Sequence, residues 1–147
     1  MTREEPVSSL AAREVRLEQT RALRQSVLRP HDQLEQIAAG EADGAYAAGV
    51  FDGAALIAVG LIAPSPERGG WRVRGMATAA EARNRGAGAA VLDDLLRHAR
   101  ARDATSVWCN ARTPARRFYE RAGFRAVSQV FEIPPIGPHV VMERELQ

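Results

Sequence analysis

The order of apolar and polar positions divides this chain into short strands and amphipathic helices. Residues 9–15 alternate weakly and read as a first strand. From 17 to 28 the spacing lengthens. Leu17, Thr20 or Arg21, Arg24 and Leu28 share a helical face, with Leu23 and Val27 beside it, and Pro30 ends the helix. Residues 31–43 scatter their apolar positions and predict no clear element. Residues 45–51 and 54–63 are two apolar runs joined at Asp52-Gly53, a strong hairpin signal. Residues 64–70 form a turn or loop. Residues 71–78 alternate Trp71, Val73 and Gly75 with Arg72 and Arg74, as a strand does.

The period then changes again. Over 86–102, Ala89, Leu92, Leu96 and Ala99 mark a helix, with Leu95 on its flank. Residues 105–110 form a short strand. Residues 114–122 form a helix with Pro114 in its first turn and Gly123 at its C-terminal cap. Residues 125–133 and 139–144 are two last strands, separated by the proline-rich stretch 134–138. The order predicts an α/β fold: one mixed, mostly antiparallel twisted sheet of about seven strands, with helices on both faces. The strand-helix-strand unit from 71 to 110 should be a right-handed parallel crossover.

Composition narrows the classes. A chain of 147 residues suits a single domain spanning 1–147. Its 20 cations are all arginine and face 18 anions, so the formal net charge of +2 gives no clustered excess for nucleic acid. One cysteine, Cys109, makes neither an internal disulfide nor a cysteine-pair metal site. No stretch reads as a signal peptide or a membrane span, which points to the cytoplasm and to no membrane partner.

The most informative segment is Arg83-Asn84-Arg85-Gly86-Ala87-Gly88-Ala89, between a strand and a helix. A helix start offers unbonded backbone N–H groups and the positive end of its dipole. Gly86 and Gly88 keep side chains out of the way, and Arg83 and Arg85 can add charge-assisted bonds. The implied chemistry is pyrophosphate binding. A P-loop needs a lysine, and the chain has none. A Rossmann turn would put glycine or alanine where Val91 stands, and its acidic partner would be Asp103, before the next strand rather than at its end. A bare helix-start loop is the plain alternative.

Arg83-x-x-Gly86-x-Gly88-Ala89 resembles the acyl-CoA motif of the GNAT superfamily of N-acyltransferases. The strand residues Arg74-Gly75-Met76-Ala77-Thr78 resemble that family's fourth strand, and Phe118-Tyr119-Glu120-Arg121-Ala122-Gly123-Phe124 resembles its second signature. The ending, Phe131-Glu132-Ile133 and then Gly137-Pro138-His139-Val140-Val141-Met142, is similar to the ElaA-like branch.

The resemblance implies acetyl-CoA as cosubstrate and an amine, small-molecule or peptide, as acceptor. It implies that Met76-Ala77-Thr78 pairs with the pantetheine arm through the backbone of Met76 and Thr78. Arg85, Gly86, Ala87, Gly88 and Ala89 would hold the pyrophosphate, with Arg83 beside them. Phe118 would pack on the pantetheine, and the Tyr119 hydroxyl would protonate the departing thiolate. Many members carry asparagine seven residues before that tyrosine; here the position is Arg112, so the role falls to Asn110 or to no residue. A homodimer is one assembly the family allows.

Each of these residues also has a plain structural reading. Tyr119 could be a half-buried helix aromatic. His139 could be the base for the amine or could hold its strand by a backbone bond, and Glu132 is the other candidate base. His98 reads as solvated, and His31 lies in a loop near the first helix. Cys109 lacks a neighbouring base and reads as a small strand residue. The expected activity is direct transfer of an acetyl group to an amine within a ternary complex. The alternatives are an acyl-CoA sensor without catalysis and, from another class, an arginine-rich nucleic-acid binder.

Overall fold

A computed structural model describes residues 10–146. Strand β1 (Ala12–Val15) leads into helix α1 (Leu17–Leu28) and a short helix α2 (Leu34–Ala39). Strands β2 (Tyr46–Asp52), β3 (Ala55–Pro64) and β4 (Trp71–Thr78) follow, then helix α3 (Ala87–Arg100) and strand β5 (Ser106–Arg112). Helix α4 (Arg116–Arg121) and strands β6 (Arg125–Ala126), β7 (Phe131–Ile133) and β8 (Gly137–Glu145) complete the chain. The strands form one sheet in the order β1-β2-β3-β4-β5-β8-β6, with β7 also on β8. Every pairing is antiparallel except β4 with β5. The expected mixed, mostly antiparallel sheet is the one observed.

Several local expectations are corrected. The start of the first strand at residue 9 lies outside the described residues, and the strand begins at Ala12. The unassigned stretch contains α2, which buries Ile37 alone. The stretch 125–133 is two strands, because residues 127–130 bulge out of the ladder. There Val127 N–H donates to Val141 O, and Val141 N–H donates to the Ser128 hydroxyl (both 2.9 Å).

In α3 the buried stripe is Val91, Leu92, Leu95, Leu96 and Ala99, while Ala89 is exposed. That stripe packs on Ala58, Ile62 and Val73 of one sheet face and forms the main core. His98 is not free in solvent. Its ring stacks on Tyr46 at 3.7 Å, and Tyr46 donates to Asp94 Oδ1 at 2.6 Å. Burial, helped by Arg102, lowers the His98 pKa.

The opposite face carries α1 and α2, and their junction is polar. The buried residues of α1 are Thr20 and Arg24 rather than its leucines. Arg24 donates to Glu41 Oε2 (2.7 Å), to the Thr20 hydroxyl (3.1 Å) and to Ile37 O (3.3 Å). Arg21 adds a two-pronged bond to the same carboxylate. The bond from Arg21 and then those from Arg24 hold Glu41 below the usual glutamate range, against the opposing effect of burial.

The Glu41 contribution is therefore complete above about pH 4.3, the ordinary value, and is lost as pH falls through the depressed folded value. Glu41→Ala leaves Arg24 buried without its counter-charge, and the expected cost is about 3 kcal/mol at pH 7. Urea unfolding at neutral pH checks it, and the gap to wild type should narrow in acid.

Candidate functional site

β4 and β5 run parallel but pair only at Trp71 with Val107 and Arg72 with Trp108. Beyond that point the two strands separate. The cause lies in β4, where the register with β3 slips between Val59 and Leu61, so that Gly75 and Met76 together face Gly60. Gly75 has φ +65°, a conformation that a side chain makes costly. Such a bulge bends its strand away from the neighbour.

Ala79 N–H donates to Ile57 O at 2.8 Å. In an antiparallel ladder hydrogen-bonded pairs alternate, so Ala77 also faces β3. Met76 and Thr78 then turn their backbone groups toward the open side.

At the end of this free edge stands the start of α3. Gly86 is its N-cap, with φ +78°. No side chain caps the helix, and the first helical bond runs from Ala90 N–H to Gly86 O. Among the described residues the N–H groups of residues 84–89 have no protein partner. A methyl group on Gly88 would stand 3.3 Å from Thr78 Oγ1 and 3.4 Å from Phe118 Cε1. Thr78, Gly88 and Phe118 are thus brought together around one narrow gap. Arg83 is exposed, and Arg85 donates to Asp52 Oδ2 at 3.0 Å.

Tyr119 lies beneath the point where the strands part. It is 7% exposed, and its ring meets Phe118 and Phe124 edge to face. Its hydroxyl sits against the Cys109 thiol, and Cys109 is the first β5 residue past the last pair with β4. Burial and Cys109 raise the Tyr119 pKa well above its ordinary value. Burial likewise pushes the Cys109 thiol up to about 12. A thiol this weakly acidic is a poor nucleophile near neutral pH, which disfavours a covalent route through it.

The GNAT acetyltransferase family model matches residues 11–124. The chain belongs to the GNAT acetyltransferase family. It is 34% identical to the uncharacterized N-acetyltransferase YitI of Bacillus subtilis (strain 168), over 94% of this chain and 97% of that one. Its fold resembles Escherichia coli ElaA with a TM-score of 0.76 at 19% identity, covering 92% of this chain and 99% of ElaA. It also resembles the E. coli ribosomal-protein-S18-alanine N-acetyltransferase, with a TM-score of 0.75 at 13% identity and 92% of each chain covered.

In this GNAT chain the two candidate bases point to opposite faces of the sheet. Side chains of directly opposed residues share a face. His139 opposes Arg112, whose guanidinium donates to Leu28 O at the end of α1 (2.8 Å). His139 therefore lies on the face of α1 and α2. Its Nδ1 bonds Gly137 O at 2.8 Å, an N–H donation that leaves Nε2 as an acceptor.

Glu132 opposes Pro138, one residue along, and is exposed on the other face. Asn110 opposes Val141 and shares the His139 face, past the separation of the strands. His31 is exposed in its loop.

A depression of about 500 Å³ lies elsewhere, between β1, the start of α1 and β2. It is shallow, lined by Glu14, Arg16 and Glu18, and holds none of these groups.

Proposed function

We propose that this GNAT chain transfers the acetyl group of acetyl-CoA to an amine by direct attack in a ternary complex. The observation that supports it most is a pair of unbonded backbone stretches that approach each other where Thr78 faces Gly88. One is the open edge of β4 at Met76 and Thr78, and the other is the uncapped N–H groups of residues 84–89. The first suits the amide-bearing pantetheine arm, which would lie there as an added strand. The second suits the pyrophosphate, where the α3 dipole adds positive charge. Arg83 and Arg85 supply cations beside it, and Phe118 packs the arm.

The reacting end would then lie where β4 and β5 part. Met76 N–H faces the thioester carbonyl and stabilises the oxyanion. The amine arrives neutral from the α1 and α2 face, with His139 Nε2 as the acceptor for its proton in preference to Glu132. Attack forms the C–N bond. As the C–S bond breaks, the Tyr119 hydroxyl gives its hydrogen to the leaving thiolate. Burial makes a lasting tyrosinate costly, so the proton that His139 took from the amine is passed to Tyr119 by way of solvent before the next turnover, which restores both groups.

Acetyl-CoA at 100 times its dissociation constant should stabilise the protein by about 2.7 kcal/mol. Thermal melting reads this as a rise in Tm, with NAD and ATP giving much less. A panel of amines, followed by free CoA release and by mass spectrometry of the product, tests the transfer itself. Acetyl-CoA without effect on melting would overturn the binding mode, and CoA release with no acetylated amine would overturn the transfer.

A further inference from the structure

On the face where the amine would arrive, β4 presents two guanidinium groups, Arg72 and Arg74. They are two residues apart and so point the same way. Arg72 opposes Trp108 in the last pair before the strands part, and Arg74 precedes the Gly75 bulge. Both therefore border the mouth of the cleft.

Neither is hydrogen-bonded to a carboxylate as Arg21 and Arg24 are, although both lie within ion-pair range of Glu67. Arg21 and Arg24 share Glu41 at 2.7–2.9 Å. Arg72 donates no hydrogen bond to any described residue, and its Nε is buried without a partner. Arg74 has a single bond, from Nη1 to Gly40 O at 3.2 Å.

The carboxylate nearest both is Glu67. Its Oε2 stands 3.7 Å from Arg72 and 3.9 Å from Arg74, too far for a hydrogen bond, while its Oε1 accepts from the Ser65 hydroxyl. The Arg72 guanidinium lies 4.5 Å over the Trp108 ring, and the Trp108 N–H donates to Ser65 Oγ at 3.0 Å. The indole is thereby fixed, and it supports the guanidinium through its face while leaving the N–H edges unspent. A part-buried cation held in place with unused donors gains from an anion closer than Glu67 at 3.7 Å. In agreement, burial and then Arg74 lower the Arg72 pKa.

We infer that the acceptor is an amine that also carries an anionic oxygen group, a carboxylate or a phosphate, seated on Arg72 and Arg74. The inference rests on the acetyl-transfer reading, since that reading puts the acceptor on this face. A neutral amine would leave the pair as it stands. An anionic one receives two-pronged bonds from planar donors, which orient the amine relative to the thioester.

The test uses acetylated products, which bind whether or not turnover is seen. The full chain is titrated by calorimetry, with CoA and without. The probes are N-acetylglycine through N-acetyl-6-aminohexanoate, the primary amide of each, and N-acetyl-O-phosphoethanolamine. At the best chain length the acid should bind about 10- to 100-fold tighter than its amide. The phosphate arm shows which anion is preferred.

Arg74→Gln should reduce the difference to about threefold or less, with CoA affinity and Tm unchanged. Arg72→Lys, which keeps a charge but loses the fork, should reduce it in part even if Arg72→Gln does not fold. Equal binding of acid and amide by wild type overturns the inference. So does binding of CoA with no probe bound, or a preference that survives both substitutions. Failure to bind CoA speaks instead against the acetyl-CoA reading, and the titrations without CoA keep the two apart.

Discussion

Tyr119→Phe is expected to lower the turnover number by a factor of about 10² to 10⁴ while CoA affinity stays nearly unchanged. The phenyl ring keeps the edge-to-face packing with Phe118 and Phe124, and only the hydroxyl beside Cys109 is removed. The proton donor proposed for the sulfur is then lost. The loss should shrink with an acyl donor whose thiol is more acidic, because that thiolate departs with less help. A residue that merely packs would give the same small effect with every donor.

The pH dependence carries a second sign. The raised Tyr119 pKa keeps the hydroxyl protonated through neutral and mildly alkaline pH, so wild-type turnover should show no Tyr119-linked decline up to about pH 10. Wild-type turnover by the Phe variant, with the chemical step shown to limit, would remove Tyr119 from the mechanism.

Much of this arrangement can be read from residues alone, and the parts that cannot have physical reasons. The helix α3 and the turn before it are legible because an apolar helical period begins just after Gly86 and Gly88, and a left-handed N-cap favours glycine. The hairpin at Asp52-Gly53 is legible because Gly53 has φ +62° in a two-residue loop, with Asp52 opposing Ala55.

What periodicity misreads is the inner face of α1. Arg24 is buried there because Glu41, after α2 in the chain, neutralises it, and Thr20 is buried beside it as a partner of its guanidinium. A partner 17 residues away leaves no trace in a local pattern. The bulge at Gly75 is hidden for a similar reason. Gly75 fits the alternation of a strand, and only the register with β3 shows that Gly75 and Met76 share one partner. That slip parts β4 from β5, so the distortion on which the proposed site depends is also the least visible. Arg72 and Arg74 read as the polar side of a strand; that no carboxylate is within hydrogen-bond distance of either appears only once the chain is folded.

The division of the two candidate bases is likewise a matter of register. Glu132 and His139 are equal from sequence. The pairing of β5 with β8 puts His139 with Arg112 and Asn110 on the α1 side, and the pairing of β7 with β8 puts Glu132 on the other. A one-residue slip of β7 along β8 would bring Glu132 to the face of His139.

Gly88→Val is expected to weaken CoA binding by at least about 100-fold, the loss of two or more charge-assisted bonds. The added Cβ would already touch Thr78 Oγ1 at 3.3 Å and Phe118 Cε1 at 3.4 Å, and the two further methyl groups would reach into the gap between β4, α3 and α4. That gap is where the strand edge and the helix start approach each other. The fold should survive. Gly88 lies within α3, where no left-handed φ is required, and valine has the better helix propensity.

Gly86 is the less clean position. Its φ of +78° would strain any other residue by about 1–2 kcal/mol, so a change there mixes stability with binding. The pair of variants therefore makes a control. Gly86→Ala should lower Tm and weaken CoA modestly, whereas Gly88→Val should keep Tm within a few degrees and lose the CoA-dependent rise in melting. A folded Gly88→Val protein that still binds CoA as wild type does would mean that the pyrophosphate lies elsewhere than on the start of α3.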